Sequence, residues 1–376
     1  GCTDPNAGNY NSNATLDDGT CCYADTSYTT VTACDSLVWN GTTYDSSGVY
    51  TYLPQWNQVG QDIVGTHNSE HVGSSVSISS DGTIMALGAI PDSYYNLGGL
   101  ARIYEWNGST WNQLGGDIDG EAGGDHSGYS VSLSSDGSTV AVGAHSNSGN
   151  GSDAGHVRIY DWDGSSWQQK GSDIDGEFDT QSGHSVSLSS DGNTVAIGTP
   201  LASTPVGFAG HVRIYVWDGI SWNQLGQDID GEAEYDLCGY YESSVSLSSD
   251  GYTVAIGAYQ NDGNGNESGH VRIYYYNGTA WNQLGNDIDG EEAGDESGYS
   301  VSLSSDGYTV AIGAPENAGL VDIEEINDGS SGSGHVRIYY YDANTDSWNQ
   351  LGLDIDGDAS IGDETGYSVS LSSDGN

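Results

Sequence analysis

Basic residues are nearly missing. The chain has six Lys and Arg against 54 Asp and Glu, a formal net charge of −48 over 376 residues. Phosphate recognition needs clustered cations, so nucleic acid is excluded as a partner, and an anionic membrane surface with it. The longest apolar runs are strand-sized, so no membrane-spanning helix and no membrane insertion are expected. No signal-peptide pattern is present. No window shows helical periodicity, and Gly, at 57 residues, recurs too often for helices. The sequence also has no GxSxG elbow and no CxxC pair. No catalytic constellation stands apart, so the expectation is a non-enzyme with no organic cofactor. The surplus of acid favours solubility but opposes compactness, and bound calcium or bulk salt would relieve it. A salty extracellular medium accounts for it simply.

A repeat fills most of the chain. The tetrad Ser-Ser-Asp-Gly places its Asp at Asp81, Asp136, Asp191, Asp250, Asp306 and Asp374, with spacings of 55, 55, 59, 56 and 68 residues. A Trp opens each unit: Trp56, Trp111, Trp167, Trp222, Trp281 and Trp348. The longest unit holds an acidic, Gly/Ser-rich insert between Gly319 and Gly334, read as a surface loop. Each unit carries four strand-like runs, exemplified by Tyr299–Ser304, Thr309–Ala314, His335–Tyr341 and Trp348–Leu351. Two of them alternate with period 2, and Thr309–Ala314 is nearly apolar, as in a strand buried on both faces. Asp306-Gly307, Asn277-Gly278, Asp163-Gly164, Asp218-Gly219 and Asn107-Gly108 fit tight hairpin turns, which need positive φ. Four antiparallel strands per unit is the content of one propeller blade. The fold expected is therefore all-β, a β-propeller of four-stranded antiparallel blades. Five units are whole and a sixth stops after its first strand. The chain starts without Met and ends in mid-hairpin at Asp374-Gly375-Asn376, which reads as an internal fragment. The Trp56 strand is placed to close a ring as the outer strand of the last blade.

Residues 1–34 form a distinct Cys- and Asp/Asn-rich module, 35–52 read as a hairpin linker, and 53–376 are the propeller. Cys2, Cys21, Cys22 and Cys34 imply two disulfides and an oxidising, extracellular or cell-surface location. Cys21 and Cys22 are adjacent and do not suit each other, which leaves Cys2–Cys21 with Cys22–Cys34, or the crossed form. Zinc is disfavoured there, since no His is near.

Recurring residues within the unit raise further candidates. After each Trp strand comes an acidic loop. Its members Asp117, Asp119, Glu121 and Asp125, then Asp228, Asp230, Glu232 and Asp236, then Asp287, Asp289, Glu291 and Asp295 have the 1, 3, 5, 9 spacing of calcium loops. Gly falls at loop position 4 rather than 6, which equally suits a turn whose acids cap amides or pair with arginine. All five arginines, Arg102, Arg158, Arg213, Arg272 and Arg337, hold one place per unit. They are read as structural, each pairing with a repeated carboxylate and stacking on an aromatic ring. His67 to His71 spells HxxEH, but in a loop position where the residues cannot share a helical face. Trp106, Trp162 and Trp217 suit inter-blade packing better than sugar stacking. Cys238 is expected to be buried and unpaired.

Two resemblances add to this. The run Gly1–Cys21 resembles the Asp/Asn-rich Cys repeats of bacterial surface proteins, related to thrombospondin type 3 repeats. That resemblance implies calcium ligands among Asp4, Asn6, Asn11, Asp17 and Asp18. GYSVSLSSDGYTVAIGAP, Gly298–Pro315, resembles the FG-GAP repeat of integrin-α-type propellers, with Gly298-Tyr299 at the Phe-Gly position and Gly313-Ala314-Pro315 as the GAP. The family's calcium loop is shortened here to Ser304-Ser305-Asp306-Gly307, so its calcium site does not carry over. The resemblance implies an extracellular, non-enzymatic adhesion or ligand-binding module of a large surface protein, with a protein or glycan partner. A purely structural spacer and an accessory domain of a secreted glycan- or phosphodiester-active enzyme are the alternatives. Any specific site is expected where units differ, as at Glu234–Ser243 and the insert.

Overall fold

The computed structural model describes residues 57–66, 70–91, 97–241, 243–317, 333–357 and 363–375, with four short strand pieces before residue 45. The chain divides into two compact units, Gly1–Val59 and Gly60–Asn376. In the first, Cys22–Tyr23 pairs with Thr26–Ser27, and Leu37–Trp39 pairs with Thr42–Tyr44, both antiparallel. The second pair is the hairpin expected around Asn40-Gly41. The proposed calcium ligands Asp4, Asn6, Asp17 and Asp18, and the disulfide partners Cys2, Cys21 and Cys34, lie outside the described residues, as does the side chain of Cys22.

The second unit is an all-β propeller of repeated antiparallel sheets. Blade 1 spans Val72–Asp119, blade 2 Ser130–Asp175, blade 3 Val186–Asp230, blade 4 Val245–Asp289 and blade 5 Ser300–Asp356. In blade 5 the strands run Ser300–Leu303, Thr309–Ala314, His335–Asp342 and Ser347–Gln350, each paired with the next. Every blade adds a fifth, two-residue strand that pairs with the start of the third, as Ile355–Asp356 does with His335–Val336. In the sequence this piece is hidden in the acidic loop. Its isoleucine is an anchor: Ile118, Ile174, Ile229 and Ile288 are all buried. A sixth inner segment, 363–375, follows blade 5.

The second strand of each blade is buried on both faces, as its apolar run predicts. The core is distributed between blades. Ala196, Ile214 and Ile229 of blade 3 pack with Val245, Leu247, Val254 and Ile256 of blade 4. Blades 1 and 2, 2 and 3, and 4 and 5 repeat that arrangement. This is the nearest-neighbour packing of repeat proteins. Trp167 caps blade 2 onto blade 1, its Nε1 donating to Leu114 O at 2.9 Å. The hairpin tryptophans belong to the same device. Trp162 and Trp167 are tilted together at 5.4 Å and cover Gly115 of the preceding blade.

Serines on the inner strands join successive blades. Leu133 N donates to Ser77 Oγ, Leu188 N to Ser132 Oγ, Leu247 N to Ser187 Oγ, Leu303 N to Ser246 Oγ and Leu371 N to Ser302 Oγ, all at 2.9–3.0 Å. A bulky residue there would close the axis and break the link. The small polar half of the inner-strand alternation therefore faces the ring. The apolar half faces the preceding blade: Val131 and Leu133 are each 8% exposed, whereas Val76 and Ile78 of the first inner strand are 57% and 55% exposed. Among the described residues no helix is long and apolar enough to cross a membrane.

Candidate functional site

Near-identical units change residue type where the chain enters each inner strand. Two residues before the strand glycine, a non-glycine residue takes positive φ in all six units: His71 at 44°, His126 at 56°, Gln181 at 56°, Leu237 at 51°, Glu296 at 53° and Glu364 at 50°. The turn is closed by a backbone bond, as from Tyr299 N to Glu296 O at 3.1 Å. Left-handed backbone is costly for such side chains and persists only where the surroundings impose it. The residue after the glycine is Ser74, Tyr129, His184, Tyr240, Tyr299 or Tyr367. A third variable position follows the second strand, with His145 in blade 2 and Tyr259 in blade 4.

The ring brings these side chains together at one end of the axis. Tyr129 meets His145 at 4.2 Å, His145 meets His184 at 4.3 Å, and His184 stacks on Tyr240 at 4.6 Å. Tyr240 touches Tyr241 at 5.0 Å, Tyr241 stacks on Tyr299 at 3.4 Å, and Tyr299 reaches Tyr367 at 4.9 Å. The belt of rings runs from blade 2 to the sixth segment. Blade 1 interrupts it, with Ser74 at the ring position. A pocket of about 250 Å³ lies at that interruption, between Gly73–Val76 on one side and Tyr241, Tyr299 and Tyr367 on the other. Among the described residues, three buried polar atoms of this end have no hydrogen-bond partner: Ser74 Oγ, His145 Nδ1 and His184 Nδ1.

The electrostatics are uneven around the belt. Burial, reinforced by the charges of His184 and His126, pushes His145 down to about 2, and burial holds His184 at about 4. Both are neutral rings at physiological pH. Burial also raises Tyr241, Tyr259 and Tyr299. Glu296 stands out, its carboxyl raised to about 7 by burial and by the like charges of Glu316 and Glu267. A carboxyl raised to about 7 can both accept and give a proton near neutral pH.

The acidic loops are arranged differently from a single calcium cage. Asp125 accepts from Ala122 N at 2.8 Å and Asn147 Nδ2 at 3.0 Å. Asp236 accepts from Glu232 N and Ala233 N, and Asp295 from Glu291 N and Glu292 N. The ninth-position acids thus cap their own loop. Asp117 pairs with Arg102, Asp228 with Arg213, and Asp287 accepts from Gln283. Asp119, Asp230 and Asp289 lie on the fifth strands. Glu121, Glu232 and Glu291 reach across to Arg158, Arg272 and Arg337 of the next blade. The ring of arginines is structural, as expected, and Arg272 and Arg337 also lie over Tyr274 and Tyr339. Several groups of carboxylates and imidazole can hold a metal: Glu121, His156 and Asp173; His211, Asp228 and Asp230; Glu232, His270 and Asp287; and Glu291, His335 and Asp354. The histidine that opens the third strand of blades 2 to 5 supplies a member that spacing arguments confined to one loop overlook. Of the HxxEH letters, His67 is outside the described residues and Glu70 pairs with Arg102. Cys238 is buried and free, its thiol pushed up to about 11 by burial.

No protein-family model matches the sequence, and no curated protein matches it. Solved structures do. A protein assigned as a 6-phosphogluconolactonase from Bacteroides uniformis is 12% identical, covering 77% of this chain and 87% of its own, at TM-score 0.49. The periplasmic gluconolactonase of Pseudomonas aeruginosa is 12% identical, covering 79% and 87%, at TM-score 0.42. A TolB-like protein from Agrobacterium tumefaciens is 15% identical, covering 80% and 86%, at TM-score 0.44. At this identity the likeness shows the fold alone. The FG-GAP assignment remains a resemblance. The expectation of an extracellular, non-enzymatic adhesion or ligand-binding module is corrected: no comparison shows an adhesion function, and the similar structures include proteins named as gluconolactonases. The spacer and accessory-domain alternatives are withdrawn with it.

Proposed function

We propose that the axial mouth is an acid–base site that transforms a small, uncharged, hydroxyl-rich ring molecule, with Glu296 as the proton-transfer group. The observation behind this reading is the Glu296 carboxyl, raised to about 7 beside the tyrosine belt. General bases work best when their pKa lies near the operating pH. The tyrosines offer stacking faces, and the unpartnered Ser74 hydroxyl offers a bond to a ligand hydroxyl. A pocket of about 250 Å³ suits one ring rather than a polymer segment. The net charge of −48 repels anionic substrates, which favours neutral sugars and sugar lactones over phosphorylated ones. For the acidic loops, what is supported is coarser than calcium, namely clusters able to hold a cation.

The test is turnover of a panel of neutral sugar lactones and glycosides by the wild-type chain and by Glu296→Gln. The reading expects activity rising through about pH 7 in the wild type, and a loss of roughly 10²–10⁴-fold in the variant. Equal rates in the two proteins, or no turnover of any panel member, sinks it.

A further inference from the structure

Four blades start their third strand with a histidine, and blade 1 does not. His156, His211, His270 and His335 occupy the position that Leu100 fills in blade 1. The arginine two residues on takes one of two positions, and these do not follow the Leu/His difference. In blade 1, Arg102 grips Asp117 with Nε at 3.0 Å and Nη2 at 2.9 Å, and pairs with Glu70 at 2.6 Å. In blade 3, Arg213 grips Asp228 in the same way, at 3.0 and 2.8 Å. In blades 2 and 4 the guanidinium turns to a backbone carbonyl instead, Arg158 to Asp119 O at 3.3 Å and Arg272 to Asp230 O at 2.8 Å. Asp173 and Asp287 are left to a glutamine on one oxygen, at 2.5 Å in each case.

Those two blades therefore hold an aspartate facing a histidine, with a glutamate of the preceding blade beside them. The ligand atoms of Glu121, His156 and Asp173 lie within 4.8 Å of one another, as do those of Glu232, His270 and Asp287. His156 Nδ1 is 3.6 Å from Asp173 Oδ2. That is too long for a hydrogen bond. It is close to the ligand–ligand edge of a tetrahedral shell built on bonds of about 2.0–2.2 Å, roughly 3.3–3.6 Å. Each imidazole is 1% exposed. In blade 2 the ring atom that faces the aspartate is Nδ1, whereas the unpartnered Nε2, shared by His156, His211 and His270, lies at the other side of the ring and does not mark these two blades out. Blade 5 differs in one atom pair. Arg337 Nε donates to His335 Nε2 at 3.2 Å, which puts the ring proton on Nδ1 and removes the lone pair that would face Asp354.

We propose that Glu121, His156 and Asp173, and separately Glu232, His270 and Asp287, are inter-blade sites for a divalent transition metal of the zinc class, each joining two blades. One imidazole and two carboxylates suit zinc or its neighbours, whereas calcium takes oxygen ligands alone. The adjacent arginine offsets one carboxylate charge and leaves the ligand set at net −1 before the metal enters. A fourth position stays open to water.

The sites are tested on the whole chain, stripped with EDTA, by zinc titration calorimetry and elemental analysis after gel filtration. Two equivalents of zinc should be retained. His156→Leu and His270→Leu should each remove one and the double variant both, while His335→Leu should change nothing. Leucine is the residue blade 1 uses at this position, so the fold tolerates it. Should a leucine variant fail to give the wild-type circular dichroism, Glu121→Gln and Glu232→Gln serve instead. Calcium in excess should not displace the zinc. Retention of zinc by the double variant, displacement by calcium, or no retained zinc in the wild type overturns the proposal.

Discussion

Tyr241 of the fourth unit and Tyr299 of the fifth stack with ring centroids 3.4 Å apart and planes 24° from parallel. No other ring pair of the axial belt is as close. The contact joins the two units that differ most from their neighbours and forms one wall of the pocket. Tyr299→Ala should therefore lower the urea midpoint by the equivalent of roughly 3 kcal/mol, since a buried ring is lost together with its stacking. Tyr299→Phe, which keeps the ring, should stay within about 1 kcal/mol of wild type. A Tyr299→Ala melt indistinguishable from wild type would mean the belt contributes nothing.

The raised Glu296 carboxyl makes stability depend on pH in a set direction. Its pKa moves from 4.5 to about 7 on folding, so between those values the folded chain binds more protons than the unfolded one. This contribution is fully present below about 4.5 and is lost as pH rises through about 7. Glu296→Gln should accordingly raise the melting temperature at pH 8 relative to wild type and leave it unchanged at pH 4. The difference between the two melting curves against pH checks it.

Ile214 is fully buried between blades 3 and 4. Ile214→Ala removes three carbons from a site that cannot collapse without moving two sheets. A loss of about 2–5 kcal/mol is expected, measured by urea unfolding. Exposed Ile220, in a hairpin of the same blade, is the control, with Ile220→Ala close to neutral.

Gly285 has φ of +72°, and a Cβ there would come 2.9 Å from Trp348 Cδ1 of the next blade. Gly285→Ala combines backbone strain with a clash at an inter-blade seal, so a loss of about 1–3 kcal/mol is expected. Gly278, at φ of +92° with open space around it, isolates the backbone share in Gly278→Ala. Equal melting temperatures for the two variants would show that the tryptophan contact is slack.

Blade architecture was legible because its signals are local. The alternation in Tyr299–Ser304, the double-faced run Thr309–Ala314 and the Asp-Gly turns each follow from a few neighbouring residues. Asp306 illustrates this, accepting from Ser304 Oγ and Tyr308 N within its own turn. The fifth strand was not legible, because two residues, Ile288–Asp289, give no period and sit among acids. The axial belt was not either. Tyr129, His184 and Tyr240 are about 55 residues apart, and only ring formation makes them neighbours. One signal was present all the same: a position that changes from Ser to Tyr to His between otherwise matching units is under a different demand from the core. The groups able to hold a cation draw on two blades each, so spacing within a single loop could not reveal the His and Asp that lie beside Glu121 and Glu232.

The inner-strand serines bear on the pocket although they lie below it. At each junction Ser77 Oγ or its counterpart receives an amide from the next blade, while Ser80 N or its counterpart donates to that blade's Ser135 O or equivalent. The two bonds run in opposite senses, so a blade cannot slip along the axis without losing both. A slip of one residue would displace a strand by about 3.3 Å, more than enough to lift a tyrosine out of contact with its neighbour. The serines thus act as a common datum for height. A defect such as Ser246→Ala would surface at the far end of the same strand, where Tyr241 and Tyr299 must stay level to keep their faces together.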